Sequence, residues 1–263
     1  MNALDRIVAY KADEVRALKQ AHSVEALLAR AKAEPPVRGF AAAMSAVTAM
    51  DENALICEIK RKSPSAGEIL PGADGAAIAR EYEAGGAACL SVLTDLPSFG
   101  GTLEDFVRIR SAVKLPMLRK DFMIDPMQII ESRAFGADCI LVILSAVDDA
   151  CAADLTQTAQ ALGMDVLVET HDAAELERAL KLPSPLIGVN NRDLKRMVTD
   201  LGISEQLAPQ TPPDRHFISE SGISEPAHIV RLRAFGVRRF LIGESLMKRE
   251  GRTEFVTKLR TAH

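Results

Sequence analysis

Charged and amide side chains stand at the ends of short apolar runs throughout this chain of 263 residues. In the first run, Glu58 and Lys60 are two positions apart, so their side chains face the same side of a strand. Later runs end at further polar residues: Lys120, Glu169, Asn190 and Glu220. An ammonium group near carboxylates keeps its proton and can donate it to a developing alkoxide, and a partly desolvated carboxylate suits proton transfer. These residue types indicate general acid–base catalysis.

Each of these groups also has a simpler interpretation. Glu58 and Lys60 are compatible with a structural ion pair, and Lys120 with a solvated lysine at a strand end. We favour the catalytic interpretation because these groups, together with Arg192, are expected to converge on one end of a single sheet.

The alternation of apolar runs and helical segments defines the elements that must position these residues. The runs predict eight strands, at 55–60, 88–93, 116–120, 139–144, 165–169, 186–190, 216–220 and 239–243. Helices are predicted between and after them, at 75–84, 103–113, 126–135, 148–162, 173–180, 201–207, 225–235 and 252–260. This order predicts an α/β fold, a (β/α)8 TIM barrel, whose active site lies at the C-terminal ends of its strands. No Gly-x-Gly-x-x-Gly follows the first strand, which disfavours an open dinucleotide-binding sheet.

Residues 1–50 precede the first strand and read as helical. Two helices are predicted at 4–18 and 24–33, and a third at 38–50, after a break at Pro35 and Pro36. Because this segment is too short to fold alone, we expect an N-terminal helical extension packed on a barrel of residues 51–263, within a single domain overall. A flap over the active end is one possible role for it.

Two glycine-bearing turns and a few apolar residues complete the predicted site. Backbone N–H groups at turns after the last two strands suit phosphate, and these turns contain Ser221, Gly222, Gly243 and Glu244. The alternative is that these glycines only permit tight turns. Phe99, Phe122 and Leu141 are expected to form an apolar ring pocket, or else to be ordinary core residues. The loop that contains Ser63 is expected at the same mouth.

Composition excludes several other classes of protein. The net charge of −4 and the pI near 5.8 disfavour a nucleic-acid partner. The N-terminus lacks the pattern of a secretion signal, and no apolar run approaches the roughly 18 residues needed to cross a bilayer, so we expect a cytoplasmic protein. The four cysteines read as small buried hydrophobes, and His171 reads as a residue at a helix start. No spacing predicts a metal site or a cofactor motif.

Six segments, taken together, resemble the motifs of the indole-3-glycerol phosphate synthase family: 58–65, 118–122, 168–169, 188–194, 219–223 and 241–247. They occur in order across essentially the whole chain, and the extension matches as well. The resemblance implies a carbon–carbon lyase of tryptophan biosynthesis that works without a cofactor. Its substrate is a small phosphorylated molecule, 1-(2-carboxyphenylamino)-1-deoxyribulose 5-phosphate, which loses carbon dioxide and water to give indole-3-glycerol phosphate.

The resemblance also implies a role for each matched residue. Lys120 matches the general acid of ring closure, and Glu169 matches the base or acid of the later proton transfers. Lys60 matches the partner of the substrate carboxylate, also proposed as the acid for dehydration. The remaining matches are the residues that hold this cluster and bind the sugar oxygens (Glu58, Asn190, Glu220), those near the carboxylate (Ser63, Arg192), the phosphate turns (Ser221, Gly222, Gly243, Glu244) and the pocket of the anthranilate ring (Phe99, Phe122, Leu141).

Three questions stay open at this point. A Schiff-base aldolase would use Lys120 as a nucleophile, and a barrel that only binds a sugar phosphate would not need Lys60, Lys120 and Glu169 together. The segment Gly100-Gly101-Thr102 departs from the family pattern, so we expect a more mobile loop there. We expect a monomer, with a homodimer as the alternative, and neither a membrane nor a nucleic acid as a partner.

Overall fold

Eight parallel strands close into a barrel in the computed structural model, which describes residues 3–64, 67–192 and 198–263. The strands are β1 (Ala54–Ile59), β2 (Cys89–Leu93), β3 (Met117–Lys120), β4 (Cys139–Ile143), β5 (Asp165–Thr170), β6 (Leu186–Asn190), β7 (His216–Glu220) and β8 (Arg239–Ile242). Neighbours in the chain are neighbours in the barrel, and β1 closes it by pairing with β8. The predicted (β/α)8 architecture is therefore confirmed.

Helices alternate with these strands and also form the N-terminal extension. They are α1 (Ala3–Ala21), α2 (Val24–Ala33), α3 (Phe40–Thr48), α4 (Gly75–Ala84), α5 (Leu96–Phe99), α6 (Leu103–Ala112), α7 (Pro126–Ala134), α8 (Asp149–Ala161), α9 (Ala173–Ala179), α10 (Gly202–Leu207), α11 (Pro226–Arg233), α12 (Glu244–Met247) and α13 (Arg252–Arg260). A 3-10 turn at Ala208–Gln210 and a small hairpin of Lys62–Ser63 with Gly67–Glu68 were not predicted.

Aspartates fix where many of the barrel helices begin. In each case the side chain accepts a hydrogen bond from a backbone N–H of the first turn, and these aspartates are Asp74, Asp95, Asp125, Asp148 and Asp172. Such caps satisfy donors that have no partner within the helix, and each typically contributes about 1 kcal/mol. Helix starts, and therefore the loops at the catalytic end of the barrel, are set by local sequence.

The strands bury two different faces. On β1, Leu55, Cys57 and Ile59 pack outward against the helices, whereas Ala54 and Ile56 belong to a second cluster inside the barrel. The interior cluster also takes in side chains from other strands: Leu118, Leu141, Leu167, Leu186, Ile218 and Leu241. This alternation places Glu58 on the inward face, one step beyond the apolar interior.

The extension contacts the barrel in more than one place. In α3, Phe40 and Met44 are fully buried in the interior cluster, so this helix packs into the barrel core. In α2, Leu27 packs in one cluster with Met127 and Ile130 of α7. None of the described residues 3–50 lines the large cavity discussed below. The division of the chain at residue 50 and the role of the extension as a flap both stay predictions.

The cysteines are free, and three of them lie in strands. Cys57, Cys89 and Cys139 are buried on β1, β2 and β4, whereas Cys151 is half-buried in α8. Among the described helices, none has the length and apolar character that a membrane span requires.

Candidate active site

A cavity of about 460 Å³ opens at the C-terminal ends of the barrel strands. All but two of the predicted site residues line it: Glu58, Lys60, Phe99, Lys120, Phe122, Leu141, Glu169, Asn190, Arg192, Ser221, Gly222, Gly243 and Glu244. The exceptions are Glu220, which lies in contact with Lys120 at the base of the site, and Ser63. Groups that are more than 100 positions apart in sequence are thus brought together by the closure of the barrel.

Lys120 is the centre of the polar cluster. Its ammonium nitrogen lies 2.9 Å from Glu220 Oε2, 3.4 Å from Glu58 Oε2 and 3.8 Å from Glu169 Oε2. The lysine ends β3, and the three carboxylates come from β7, β1 and β5. An ammonium held by fixed carboxylates is oriented as well as charged, which is what a proton donor needs.

Glu58 joins the two lysines of the site. Its Oε1 lies 2.7 Å from Lys60 Nζ, while its other oxygen faces Lys120. Gly243 makes room for this carboxylate, because a Cβ added there would come within 2.3 Å of Glu58 Oε1. The glycine predicted for a phosphate turn is therefore also required by the acid–base cluster.

Charge balance in the cluster sets the protonation states. Burial alone would lower the pKa of Lys120, but Glu220, Glu58 and Glu169 together raise it above its ordinary value. Burial would raise the pKa of Glu58, yet Lys60 and Lys120 lower it to about 2. Lys120 is accordingly an ammonium and Glu58 a carboxylate at neutral pH.

Glu220 is the exception among the carboxylates. Burial and the neighbouring charge of Glu169 raise its pKa to about 7, against the opposing effect of Lys120. Its Oε1 is buried and has no hydrogen-bond partner among the described residues. The same oxygen lies against Gly188, where an added Cβ would come within 2.2 Å. Glu220 is therefore the acid of this cluster that takes up a proton near neutral pH.

Asn190 and Arg192 connect the cluster to the rim. The Asn190 side-chain amide donates to Glu169 Oε1 over 3.2 Å, and its carbonyl oxygen accepts from the Arg192 backbone N–H over 3.1 Å. The Arg192 guanidinium lies 3.6 Å from Glu244 Oε2. The neutral amide thus orients Glu169 from β6 without adding charge.

Two phenylalanines form an apolar wall beside the charges. The ring centroids of Phe99 and Phe122 are 6.0 Å apart, with their planes tilted by 36°. Leu141, on the neighbouring β4, is 1% exposed and lines the same cavity. An aromatic ring in this position would have apolar contacts on one side and the lysines on the other.

The far end of the cavity is lined by turns after β7 and β8. Ser221 and Gly222 have positive φ values of 65° and 83°, which turn the chain sharply after β7. The Glu244 carboxylate is held by Lys248 Nζ at 2.7 Å. The residues that line this end and were not predicted include Ser224 and Lys248. The spacing of Lys248, four positions after Glu244 on one helix face, was the available signal.

His171 is a further site residue whose contact the sequence interpretation missed. It directly precedes Asp172, the cap of α9, so its position near a helix start is as predicted. Its ring nitrogen Nε2, however, lies 3.4 Å from Glu169 Oε1. The signal was its spacing of two from Glu169, because a chain that stays extended just past the strand end directs both side chains to one side.

Ser63 and the Gly100–Thr102 loop stand apart from the cavity wall. Ser63 is buried in the small hairpin, where it pairs with Gly67, and its binding role stays a prediction. Only glycine fits at Gly101, because a Cβ would come within 1.9 Å of the Leu93 carbonyl oxygen. The quoted motif residues Ser65, Asp193 and Leu194 lie outside the described residues. The greater mobility of the loop stays a prediction.

Comparisons with known proteins agree on one family. The family model described as indole-3-glycerol phosphate synthase matches residues 4–259. An indole-3-glycerol phosphate synthase of Hyphomonas neptunium is 67% identical over 99% of this chain and 98% of its own length. One from Azospirillum brasilense is 48% identical over 95% of each chain, and one from Rhodospirillum rubrum is 50% identical over 89% of this chain and 90% of its own.

Solved structures with more distant sequences share the fold. The tryptophan synthase alpha subunit of Legionella pneumophila superposes with a TM-score of 0.61 at 14% identity, covering 87% of this chain and 98% of that one. A thiamine phosphate pyrophosphorylase of Pyrococcus furiosus gives a TM-score of 0.59 at 12% identity, covering 80% and 94%. These matches support the barrel architecture alone.

Proposed function

The chain belongs to the indole-3-glycerol phosphate synthase family, and we propose that the cluster around Lys120 performs the family's reaction by general acid–base catalysis. The chain is an enzyme, a carboxy-lyase of tryptophan biosynthesis. It converts 1-(2-carboxyphenylamino)-1-deoxyribulose 5-phosphate to indole-3-glycerol phosphate with release of carbon dioxide and water. The proposal concerns which groups of this chain carry out each step.

Lys120 is the general acid of ring closure. Attack of the aromatic carbon on the ribulose carbonyl places negative charge on the carbonyl oxygen and disrupts the ring's aromaticity. A protonated, oriented Lys120 neutralises that charge by donating its proton, which typically accelerates a reaction by about 10² to 10⁴. The observation that carries this role is the Lys120 ammonium on the cavity wall, held among three carboxylates.

Lys60 and Glu169 serve the steps that follow. Lys60 pairs with the substrate carboxylate until carbon dioxide leaves, and then is the acid that assists loss of the hydroxyl group as water. Glu169 removes a proton from the newly closed five-membered ring, and loss of this proton completes the indole. Asn190 and Lys120 hold the Glu169 carboxylate at the cavity for this step. Glu58, bonded to Lys60 and close to Lys120, keeps the two ammonium groups at fixed positions.

Substrate binding positions the reacting atoms between two anchors. The anthranilate ring packs against Phe99, Phe122 and Leu141, with Arg192 and the Ser63 loop near its carboxylate. The phosphate binds through the turns that contain Ser221, Gly222, Gly243 and Glu244, the last of which has the Arg192 guanidinium beside it. Fixing both ends of a flexible sugar converts binding energy into orientation, which supplies much of the remaining acceleration.

The cellular setting is part of the same proposal. The enzyme works in the cytoplasm as a monomer, with a small phosphorylated molecule as its partner. Free thiols at Cys57, Cys89, Cys139 and Cys151 fit a reducing compartment. Exposed large apolar side chains of the described residues lie on separate elements, at Val24, Met50, Leu96, Val107, Val198, Val230 and Phe235. Light scattering of the purified protein distinguishes the monomer from a homodimer.

The direct test is formation of the indole ring. Mixing purified protein with 1-(2-carboxyphenylamino)-1-deoxyribulose 5-phosphate should produce indole fluorescence together with carbon dioxide. Lys120→Ala should bind the substrate with near-normal affinity and lose turnover. Lys114→Ala, an exposed lysine just before the other end of the same strand, should keep both. Full turnover by the Lys120 variant would refute the assignment.

Borohydride distinguishes acid catalysis from a Schiff base. Reduction in the presence of substrate labels a lysine only where an imine forms, and the raised pKa of Lys120 disfavours the neutral amine that an imine requires. We expect no label on Lys120. Covalent trapping there would replace the acid role with a nucleophilic one.

A further inference from the structure

His171 lies between two carboxylates at the end of β5. Its Nε2 is 3.4 Å from Glu169 Oε1, and its Nδ1 is 3.1 Å from Glu175 Oε2. Glu175 Oε2 also accepts the backbone N–H of His171 over 2.8 Å. Glu175 itself is fixed in the first turn of α9, where its backbone N–H donates to Asp172. The imidazole ring is therefore held on one side and directed at a reacting group on the other.

The contact with Glu175 determines which form of the ring can serve Glu169. A carboxylate beside Nδ1 requires a proton on that nitrogen, so neutral His171 would point the Nε2 lone pair at Glu169. Two lone pairs facing each other repel. The protonated ring instead turns an N–H toward Glu169 Oε1 at 3.4 Å, and this buried Nε2 has no hydrogen-bond partner among the described residues.

We propose that His171 is a positioning residue that, as an imidazolium fixed by Glu175, holds the Glu169 carboxylate in place for proton transfer. It acts through Glu169, since it does not itself line the cavity. This inference rests on the proposed role of Glu169 as the group that moves protons after ring closure.

The charges around the ring favour its protonated form. Burial alone would lower the pKa of His171, but the hydrogen bond to Glu175 and the charges of Glu169, Glu175 and Glu220 raise it. The charged group on the far side of Glu169 is Lys120, at 3.8 Å from Glu169 Oε2. Each oxygen of Glu169 thus has a cationic neighbour on a different side, and Asn190 adds a neutral donor.

Two substitutions separate the two contacts of the ring. In His171→Asn, the shorter amide can still reach Glu175 but not Glu169. In His171→Gln, the longer amide can offer an uncharged donor to Glu169. We expect kcat of the Asn variant to fall about ten- to a hundredfold, as for loss of a hydrogen bond to a charged group, with KM nearly unchanged. The Gln variant should recover most of that loss.

The pH dependence of kcat distinguishes this role from a merely structural one, which would leave it unchanged. Wild-type kcat should decline as the pH rises through the titration of His171, and the His171→Gln variant should lack this decline because its amide does not titrate. His216→Asn removes a half-buried histidine from the start of β7, and it should retain the wild-type profile. Melting curves at each pH establish that the variants are folded under the assay conditions.

Titration of the ring by NMR provides a measurement independent of turnover. The midpoint for His171 should lie above 6.5 in the wild type and fall in both Glu169→Gln and Glu175→Gln, since each removes a negative neighbour. A His171 midpoint that stays the same in both Glu169→Gln and Glu175→Gln would overturn the proposal. A wild-type pH dependence of kcat in both His171 variants would overturn it as well. Undiminished turnover in Glu169→Gln would instead refute the proposed function on which the inference rests.

Discussion

Lys11 and Lys120 each lie among several buried carboxylates, and of these two lysines only Lys120 lines the cavity. Lys11 of α1 is 2% exposed and lies 2.9 Å from Asp95 Oδ1 and 2.8 Å from Asp121 Oδ1. Lys120 has a similar set of acidic neighbours at the mouth of the barrel. Residue type and ion-pair distance do not tell these sites apart, although Lys120 is more exposed than Lys11.

Hydrogen bonding distinguishes them. Each oxygen of the two buried aspartates around Lys11 has a partner: Asp95 accepts from Tyr10 and the Ser98 backbone, and Asp121 accepts from Thr94 and the Phe122 backbone. Around Lys120, Glu220 keeps one buried oxygen without a partner among the described residues. The two buried aspartates of the first cluster are satisfied by groups of the protein, whereas in the second cluster one oxygen, buried beside Gly188 at the base of the site, has no such partner. A satisfied network specifies structure, and an incomplete one is available for chemistry.

The two clusters are also adjacent. Asp121 follows Lys120 in the chain, and Asp95 caps the helix that ends with Phe99. Lys11 therefore ties the extension to the two loops that carry the aromatic wall of the cavity. We interpret it as the structural counterpart of Lys120, which makes the same substitution at both positions informative.

The largest expected difference is in turnover. Lys120→Met should lower kcat by about 10² to 10⁴, because the proton donor is lost. Lys11→Met should keep kcat within about tenfold in the folded protein, since no reacting atom contacts it. Steady-state kinetics at a temperature where both variants are folded checks this. Similar losses of kcat in both variants would erase the distinction between the clusters.

Stability should show the reverse order. Lys11→Met removes the lysine from Asp95 and leaves Asp121 paired with Arg119 alone, and breaking a buried ion pair typically costs about 3–5 kcal/mol. Lys120→Met should cost less, since water can enter the cavity and Glu220 can take up a proton. Urea unfolding measures both. Adding Asp121→Asn to Lys11→Met should restore part of the loss, as coupled neighbours require.

The pH dependence of stability should have opposite signs in the two clusters. The pKa of Glu220 is raised to about 7 from 4.5, so its contribution is complete below pH 4.5 and is lost as the pH rises through 7. Wild-type stability should therefore fall relative to Glu220→Gln by up to about 3 kcal/mol between pH 4.5 and 8.

Asp121 provides the comparison at acid pH. Burial would raise its pKa, but Arg119 and Lys11 hold it below 3.8. Its contribution is therefore present above pH 3.8 and is lost as the pH falls through the lower, folded-state value. The advantage of the wild type over Asp121→Asn should shrink only in acid. Parallel pH dependences for the Glu220 and Asp121 variants would contradict the assigned charge states.

The contrast between the clusters also marks what the sequence could reveal. Strands and inward faces followed from apolar runs, so Glu58, Lys120, Glu169 and their partners were found from strand ends alone. Lys11 was missed because it stands in a helical stretch, and its partners lie 84 and 110 positions away along the chain. Helical periodicity does not report which charged residue will be buried by tertiary contacts.

Close approaches set a second limit. The sequence predicted Gly188 in a strand and Gly243 in a turn. The carboxylates that exclude a Cβ at these positions, however, come from other strands. His171 was placed correctly beside a helix start, yet its ring contacts depend on where α9 directs Glu175. The sequence pattern predicts which face of a strand or helix a residue occupies. Which side chain it contacts there is determined only when the barrel closes.

The smallest expected effect tests whether the hydroxyl of Tyr10 belongs to the satisfied cluster. Tyr10 donates to Asp95 at 2.9 Å and lies 2.9 Å from Ser98 Oγ, whereas the buried hydroxyl of Tyr82 has a single hydrogen-bond partner among the described residues, Met247 Sδ at 3.5 Å. Tyr10→Phe should therefore cost about 1–2 kcal/mol and leave kcat within about twofold, while Tyr82→Phe should be nearly neutral because sulfur is a weak acceptor. Urea unfolding of the two variants makes the comparison, since these are the chain's two tyrosines. Equal costs would mean that the network around Lys11 adds nothing beyond ordinary burial of a ring.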